Sequence, residues 1–415
     1  MDNKYFTLDD TLYVITKKQP STIPVFTANG FPQMSDEGKR EGFGKNITLK
    51  TALSFQNRDP EAFSKLLISS IEKDFTGGDV TLGGESKKVT GDKIKVTGLL
   101  PCPVRIPLLE SFGRFKENFE KTHNIEIEYE LKAAAMGLDW VEKNLSEVKD
   151  QSDIPDLFIS AGFDLFFDEQ KFGKLKKAGV FIDNVKFNTV NSSFSDYDLK
   201  DPRGHYSMIG VVPAVFLVNT NELGNRKLPM SWADILKPEY ENSVSLPVGD
   251  FDLFNAILLN IHKNFGKEGV KKLGKSLLDS LHPSEMVKSE KKSTRRPAIT
   301  IMPYFFTKTI KEGSIMKAVW PSDGAILSPI FMLSKINRIE KLKDVINFFA
   351  SKEVGEILSH SGLFPSTNPD VDNKLKDNSP FMWLGWDYIY AINVAKTIKD
   401  CEKVFNDSIK EVIEA

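Results

Sequence analysis

From residue 94 onward, short apolar runs alternate with amphipathic ones. Extended stretches at 95–100, 125–131 and 156–160 are separated by helical patterns at 107–121 and 138–148. In the first helical pattern Leu108, Phe112, Phe115 and Phe119 recur at three and four residues, which is one apolar helix face. Such alternation predicts an α/β fold, with parallel sheet covered on both sides by helices. Two longer extended runs follow, YSMIGVVPAVFLV at 206–218 and the stretch 315–336, which crosses a Pro-Ser-Asp-Gly turn. Helices are expected at 341–350 and 352–360, and Ser231 is expected to cap a short helix in LPMSWADIL.

At 415 residues the chain is too long for one core, so two or three domains are expected. A net charge of -2 gives no global field for nucleic acid or an anionic membrane. Its two cysteines, Cys102 and Cys401, exclude a disulfide framework and a thiolate zinc cluster. The histidines, His123, His205, His262, His282 and His360, form no HxxxH or HExxH pair. No metal and no cofactor is therefore expected, and no membrane span, since no apolar stretch reaches 18 residues. The first 20 residues lack a signal-peptide pattern. A cytoplasmic place is expected for the chain as written, and an extracytoplasmic one if a native leader has been removed.

Residues 1–75 read as a small helical domain. Thr7 ahead of Asp9 and Asp10 suggests a helix cap, Thr48 another, and Asp59-Pro60 a third helix start. The pattern Pro20, Ile23-Pro24-Val25-Phe26, Gly30-Phe31, then Thr48-Leu49 and Ala52, resembles a small uncharacterised helical domain that fronts several bacterial redox and iron-sulfur-associated proteins. Many of those carry a cysteine after the Gly-Phe. Pro32-Gln33-Met34 stands there in this chain, which puts a carried-over redox or metal role in question. Residues 76–93, rich in Gly, Thr, Ser and charge, read as a linker.

Six pieces of the remainder, in order, resemble the type II substrate-binding proteins of ABC transporters. They are the strand-loop-helix at 94–121, IPDLFISAGFD, GVVPAVFLVNTNEL, LPMSWADILKPEYENSVSLP, WPSDGAILSPIFMLSKI, and INRIEKLKDVINFFASKEVGEILSHSGLFPST. The resemblance implies two α/β lobes joined by hinge strands, with a small solute bound between them and closure by hinge bending. Lobe 1 would be 94–212 with 324–415, and lobe 2 would be 213–323. The partners implied are a small-molecule ligand, an anion in particular, and an ABC permease.

In open α/β sheets ligands bind beyond the carboxyl ends of strands, where helix N-termini suit anions. The pocket is therefore expected from five loops. They supply Pro101, Cys102 and Arg105; Ser160, Ala161 and Gly162; Gly249, Asp250 and Asp252; Tyr304; and Trp320, Ser322 and Asp323, with Tyr206 beside them. Pro101 and Pro103 end a strand and stiffen the first loop. Arg105 could fork onto a carboxylate or phosphate, or pair at the surface with Glu110. Cys102 could be a thiolate of lowered pKa or a small packed residue. Tyr206, Tyr304 and Trp320 could stack on a ligand or pack the core and hinge. Asp250 and Asp252 could cap a helix or reach a cation. Tyr388 and Tyr390 raise the idea of phenolate iron ligands, but two apart on a helix they do not share a face. The basic run at 288–296 reads as a solvated connector or a dock for an acidic partner.

The sequence thus leads to a binding protein that presents its solute to a permease. The alternatives are a cytosolic sensor or carrier, coupled to lobe closure by the N-terminal domain, and an enzyme on the same scaffold using Cys102.

Overall fold

The computed structural model describes residues 5–20 and parts of 22–71, then 82–83, 92–100, 104–133, 154–163, 165–187, 189–248, 251–280, 296–310 and 313–414. It divides into two compact units, Met1–Val80 and Thr81–Ala415.

The first unit is helical. Helices α1 (Leu12–Lys18), α2 (Glu37–Asn46) and α3 (Leu49–Phe55) surround a core of Leu12, Ile15, Phe26, Phe31, Leu49, Leu53, Phe63 and Leu67. Phe26, Phe31 and Phe63 meet at ring separations of 5.6–5.9 Å. The expected cap at Thr7 is one turn too early. The Asp10 carboxylate accepts the Thr7 amide at 2.7 Å and closes a turn, while Thr11 caps α1 by accepting the Val14 amide. Thr48 does accept the Thr51 amide at the start of α3.

The larger unit follows the expected alternation. It contains β1 (Lys93–Leu100), α4 (Arg105–His123), β2 (Glu126–Ala133) and β3 (Leu157–Ala161). Strand β1 lies between β2 and β3, parallel to both. The approach to β3 is close: a Cβ on Gly98 would stand 2.4 Å from the Ile159 carbonyl oxygen. Helix α4 covers this sheet through Phe112, which also packs on Phe348 and Phe349 of α7 (Ile339–Phe349). The helical pattern expected at 138–148 lies outside the described residues.

The centre of the sheet is antiparallel. Two long strands, β4 (Ser207–Asn219) and β8 (Ala325–Lys335), run side by side from Ser207 opposite Met332 to Ala214 opposite Ile326. One leaves the first half of the unit and the other returns, so they must run in opposite directions. Every residue of both strands is buried. Beyond β8 lies β3; beyond β4 lies β6 (Ile299–Pro303), which is parallel to β5 (Val244–Leu246). Strand β7 (Met316–Val319) also pairs with β4.

Pro213 faces Leu327, and Pro329 faces Val211, in the middle of the long pair, with a register shift at Ile330/Phe331. Prolines cannot donate to the ladder. They stand where that costs the pair nothing: the Val211 amide donates to the Pro365 carbonyl and the Pro329 carbonyl accepts from Gly162, so alternate residues here turn their backbone outward and the bonds between the two long strands are kept.

The turn between β7 and β8 is fastened to α5 (Trp232–Ile235). Ser231 and Asp234 form a capping box, Asp323 accepts the Trp232 amide at 2.9 and 3.1 Å, and the Trp232 indole donates to the Gly324 carbonyl at 2.9 Å. Gly324 has φ of 108°, and a Cβ there would lie 2.4 Å from the Phe381 carbonyl carbon. Gly324→Ala should cost about 3 kcal/mol, combining left-handed strain with overpacking. Chemical denaturation checks this, and an unchanged midpoint would contradict the close approach.

Candidate functional site

The register of the long strands fixes where the parallel strands end. The carboxyl end of β3, Ala161, lies opposite Ile330, which lies opposite Gly210. The carboxyl end of β6, Pro303, lies opposite Ala214, which lies opposite Ile326. Two sets of strand ends therefore converge on the waist from opposite sides, four residues apart along β4. At about 3.3 Å per residue that is an offset of roughly 13 Å measured along the strands.

The loop after β3 is tightly built. Ser160 and Ala161 are buried, and Gly162, at φ of 87°, donates its amide to the Pro329 carbonyl at 2.7 Å. Phe163 follows, and its carbonyl accepts the side-chain amide of Asn255 at 3.2 Å. Asn255 belongs to α6 (Phe251–Ser276), which is broken at Gly266, and it is 8% exposed. Its Oδ1 has no protein partner. An unmatched buried acceptor costs about 1–3 kcal/mol. Nothing local in the sequence marks Asn255, because its partner lies 92 positions away.

On the other side, Tyr304 begins the short turn Tyr304–Thr309 and meets Trp320 edge-on at 5.1 Å. Both rings are half-buried, and burial raises the Tyr304 phenol above its usual range. The Trp320 indole donates to the Pro380 carbonyl at 2.6 Å and packs on Phe381 at 5.5 Å. These two aromatics come together.

Other candidates lie elsewhere. Tyr206 is 1% exposed; its hydroxyl donates to the Phe166 carbonyl at 2.8 Å and accepts from Lys176 at 3.1 Å, and its ring stacks on Phe167. It is fixed within the first half's aromatic core. Ser322 and Asp323 direct polar groups to the chain itself, the Ser322 amide to the Met230 carbonyl at 2.7 Å and the Asp323 carboxylate to Trp232. Asp252 is the second residue of α6, inside the helix and not at its cap. Arg105 opens α4, with its side chain outside the described residues. Pro101, Cys102, Gly249 and Asp250 also lie outside them, as does most of the basic run.

Tyr388 and Tyr390 share a short helix, Trp386–Ala391, but look to different partners. Tyr388 bonds His262 Nδ1 at 3.0 Å, while Tyr390 donates to Asp201 at 2.6 Å. Burial, reinforced by that carboxylate, pushes the Tyr390 phenol far up, which opposes a phenolate ligand. Among the described residues no group of three or more His, Cys, Asp or Glu is placed to hold a metal.

The segment around these tyrosines crosses between the halves a third time. Phe381 pairs with Ala325 of β8; Trp383 stacks on Phe163, and Trp386 on Tyr206; the Leu384 carbonyl accepts from Lys263 of α6. The last helix, α8 (Val394–Glu414), then packs on α6, with Phe405 against Phe254 at 5.1 Å. Cys401 is buried in it.

A family model described as bacterial extracellular solute-binding protein matches residues 152–391, more than half of the chain. The chain belongs to the bacterial extracellular solute-binding protein family. Residues 6–63 match a second model, a domain of unknown function. No curated protein matches. The solute-binding fold is shared with a ferric binding protein from Campylobacter jejuni (TM-score 0.51, 14% identity, 76% of this chain and 99% of that one). It is also shared with a Trichodesmium protein solved in complex with iron and citrate ligands (0.53, 10%, 75% and 99%). A third is the substrate-binding protein of an ABC transporter from Agrobacterium tumefaciens (0.51, 16%, 79% and 99%). No helix among the described residues of this solute-binding protein is long and apolar enough to cross a membrane.

Burial pushes the Cys401 thiol up to about 11. A thiol of that pKa is almost wholly protonated at neutral pH and is a poor nucleophile. In a Cys102→Ser protein, Ellman's reagent at pH 8 should leave Cys401 unmodified until denaturant is added; rapid native labelling would contradict its burial.

Proposed function

We propose that this protein binds a small anionic solute at the waist between its two halves and presents it to an ABC transporter permease. The observation that carries the reading is the convergence of β3 and β6 on the middle of the long strand pair, beside half-buried Tyr304 and Trp320 and the unmatched Asn255 oxygen. The halves are taken as 94–212 with 324–380 on one side and 213–323 on the other. The C-terminal helix is taken with the second because Phe405 rests on Phe254. Pro101, Cys102, Arg105, Gly249 and Asp250 are proposed to complete the walls, with Arg105 supplying charge.

Anion binding is the reading because strand ends that face helix N-termini present unpaired amides and partial positive charge. A solute that also carries a hydroxyl would satisfy Asn255. Citrate, alone or with ferric iron, meets both conditions, and one similar fold was solved with those ligands. Binding is proposed rather than catalysis. Use outside the cytoplasm fits the family description.

A second reading, a sensor or carrier coupled to lobe closure, is favoured by one observation: a separate compact helical unit precedes the binding unit in the same chain.

A thermal-shift panel of phosphate, sulfate, citrate, ferric citrate and small phosphate esters tests the proposal. A ligand at a hundred times its Kd should stabilise the fold by about 2.7 kcal/mol. Arg105→Ala and Trp320→Ala should each weaken the responding anion at least about tenfold, or ~1.4 kcal/mol, without lowering the ligand-free melting point by more than a few degrees. A panel without a response, or a response untouched by both substitutions, would overturn it.

A further inference from the structure

A second concavity lies in the first half, away from the waist. Asp183 follows the short strand Phe181–Ile182, which pairs with Ser334 and Lys335 at the far end of β8. The pocket beside it holds about 400 Å³ with its mouth included, at the small end of the range for ligand sites. Its floor is Leu199, Tyr206, Met208 and Thr367, all buried, and Phe187 and Val190 stand half-buried around them. None of Ala161, Asn255, Tyr304 and Trp320, the residues that mark the waist, lines it.

Two opposite charges line this pocket. Asp183 is fixed in place: its amide donates to the Gly204 carbonyl at 2.6 Å, and its Oδ1 accepts the Val185 amide at 3.0 Å and the Ser207 hydroxyl at 2.5 Å. Both bonds fall on Oδ1, so Oδ2 has no partner among the described residues. Lys200 is exposed, and among the described residues its ammonium has neither an ion pair nor a hydrogen bond. Opposite charges that share a pocket without closing on each other suit a molecule with a cation at one end and an anion at the other. The surface between them is apolar, so an aliphatic group lying there would leave water. The walls are also rigid, which lowers the ordering cost of binding: the Thr367 hydroxyl donates to the Met208 carbonyl at 2.7 Å, and its amide to the Ile209 carbonyl at 3.2 Å.

We propose that this is a second binding site, for a free α-amino acid with a branched aliphatic side chain. The ammonium of the amino acid sits on Asp183 Oδ2, its carboxylate on Lys200, and its side chain over Leu199 and Met208. The Tyr206 hydroxyl takes no part, since it is spent on the Phe166 carbonyl and Lys176, and the ring supplies only floor. The site is independent of the waist, and the inference holds whatever solute binds there.

Isothermal titration calorimetry of the full chain with L-leucine and L-valine tests it, and one equivalent should bind. N-acetyl-L-leucine lacks the ammonium and L-leucinamide lacks the carboxylate, so each should bind at least about tenfold more weakly. Lys200→Met should weaken leucine by a similar factor, and so should Asp183→Asn, which keeps the Oδ1 acceptor and removes the charge. Trp320→Ala, at the waist, should leave leucine binding unchanged. Lys200 lies at the surface, so circular dichroism melts of Lys200→Met should stay within a few degrees of the parent, which separates lost binding from unfolding. No binding of either amino acid at millimolar concentration overturns the proposal. So does equal affinity for leucine and its two capped forms, or binding that Trp320→Ala abolishes and Lys200→Met spares.

Discussion

The antiparallel pairing of Ser207–Asn219 with Ala325–Lys335 is the interaction on which the rest of this protein depends. Each strand is buried along its whole length, and each serves both halves of the larger unit. One half hangs on the pair through Leu157–Ala161, the other through Ile299–Pro303. Because those strands run toward the middle from opposite sides, their carboxyl ends meet there. The meeting point is thus a consequence of strand direction. Helices and side chains decorate a position that the register has already chosen.

The polar economy of the waist follows from the same arrangement. Gly162, Ser322 and Asp323 satisfy backbone groups of the chain itself, and this keeps the strand ends and the turn before Gly324 rigid. Rigid walls reduce the ordering cost of binding. Asn255 differs, since one end of its amide is matched and the other is not. The third crossing, around residues 381–391, ties the first half through Tyr390 and Asp201 and the second through Lys263 and the Leu384 carbonyl. The halves are thus joined here as well as through the long pair.

Much of this architecture was legible in the sequence. The long strands read as unbroken apolar runs because both faces are covered, and α4 announced itself through Leu108, Phe112 and Phe119 at helical spacing. Ser231 and Asp234 gave a local capping signal that the structure reproduces. Tyr304 with Trp320 came from strand-end reasoning alone. What the sequence did not show depends on pairing over long separations. Tyr206 stands at a strand start like the other site candidates, and only the packing of Phe167 and Lys176 around it places it in the core. Periodicity gives strand existence and not direction, so the antiparallel centre rested on the resemblance to hinge strands and not on the apolar pattern. Thr7 and Thr11 both suit a helix cap; the choice went to Thr11, whose neighbour Leu12 is fully buried. Asn255 sits in ordinary helical surroundings, with its partner 92 residues away.

The two halves, the converging strand ends and the aromatic wall make one central claim, that a single solute sits at the waist. Native mass spectrometry of the full chain, titrated with citrate, ferric citrate, phosphate and sulfate, tests it most directly. The account predicts a one-to-one adduct with at least one of these anions, retained under gentle activation and lost in Trp320→Ala. A folded protein that keeps the bare chain mass with every anion, or an adduct that Trp320→Ala leaves intact, would contradict it.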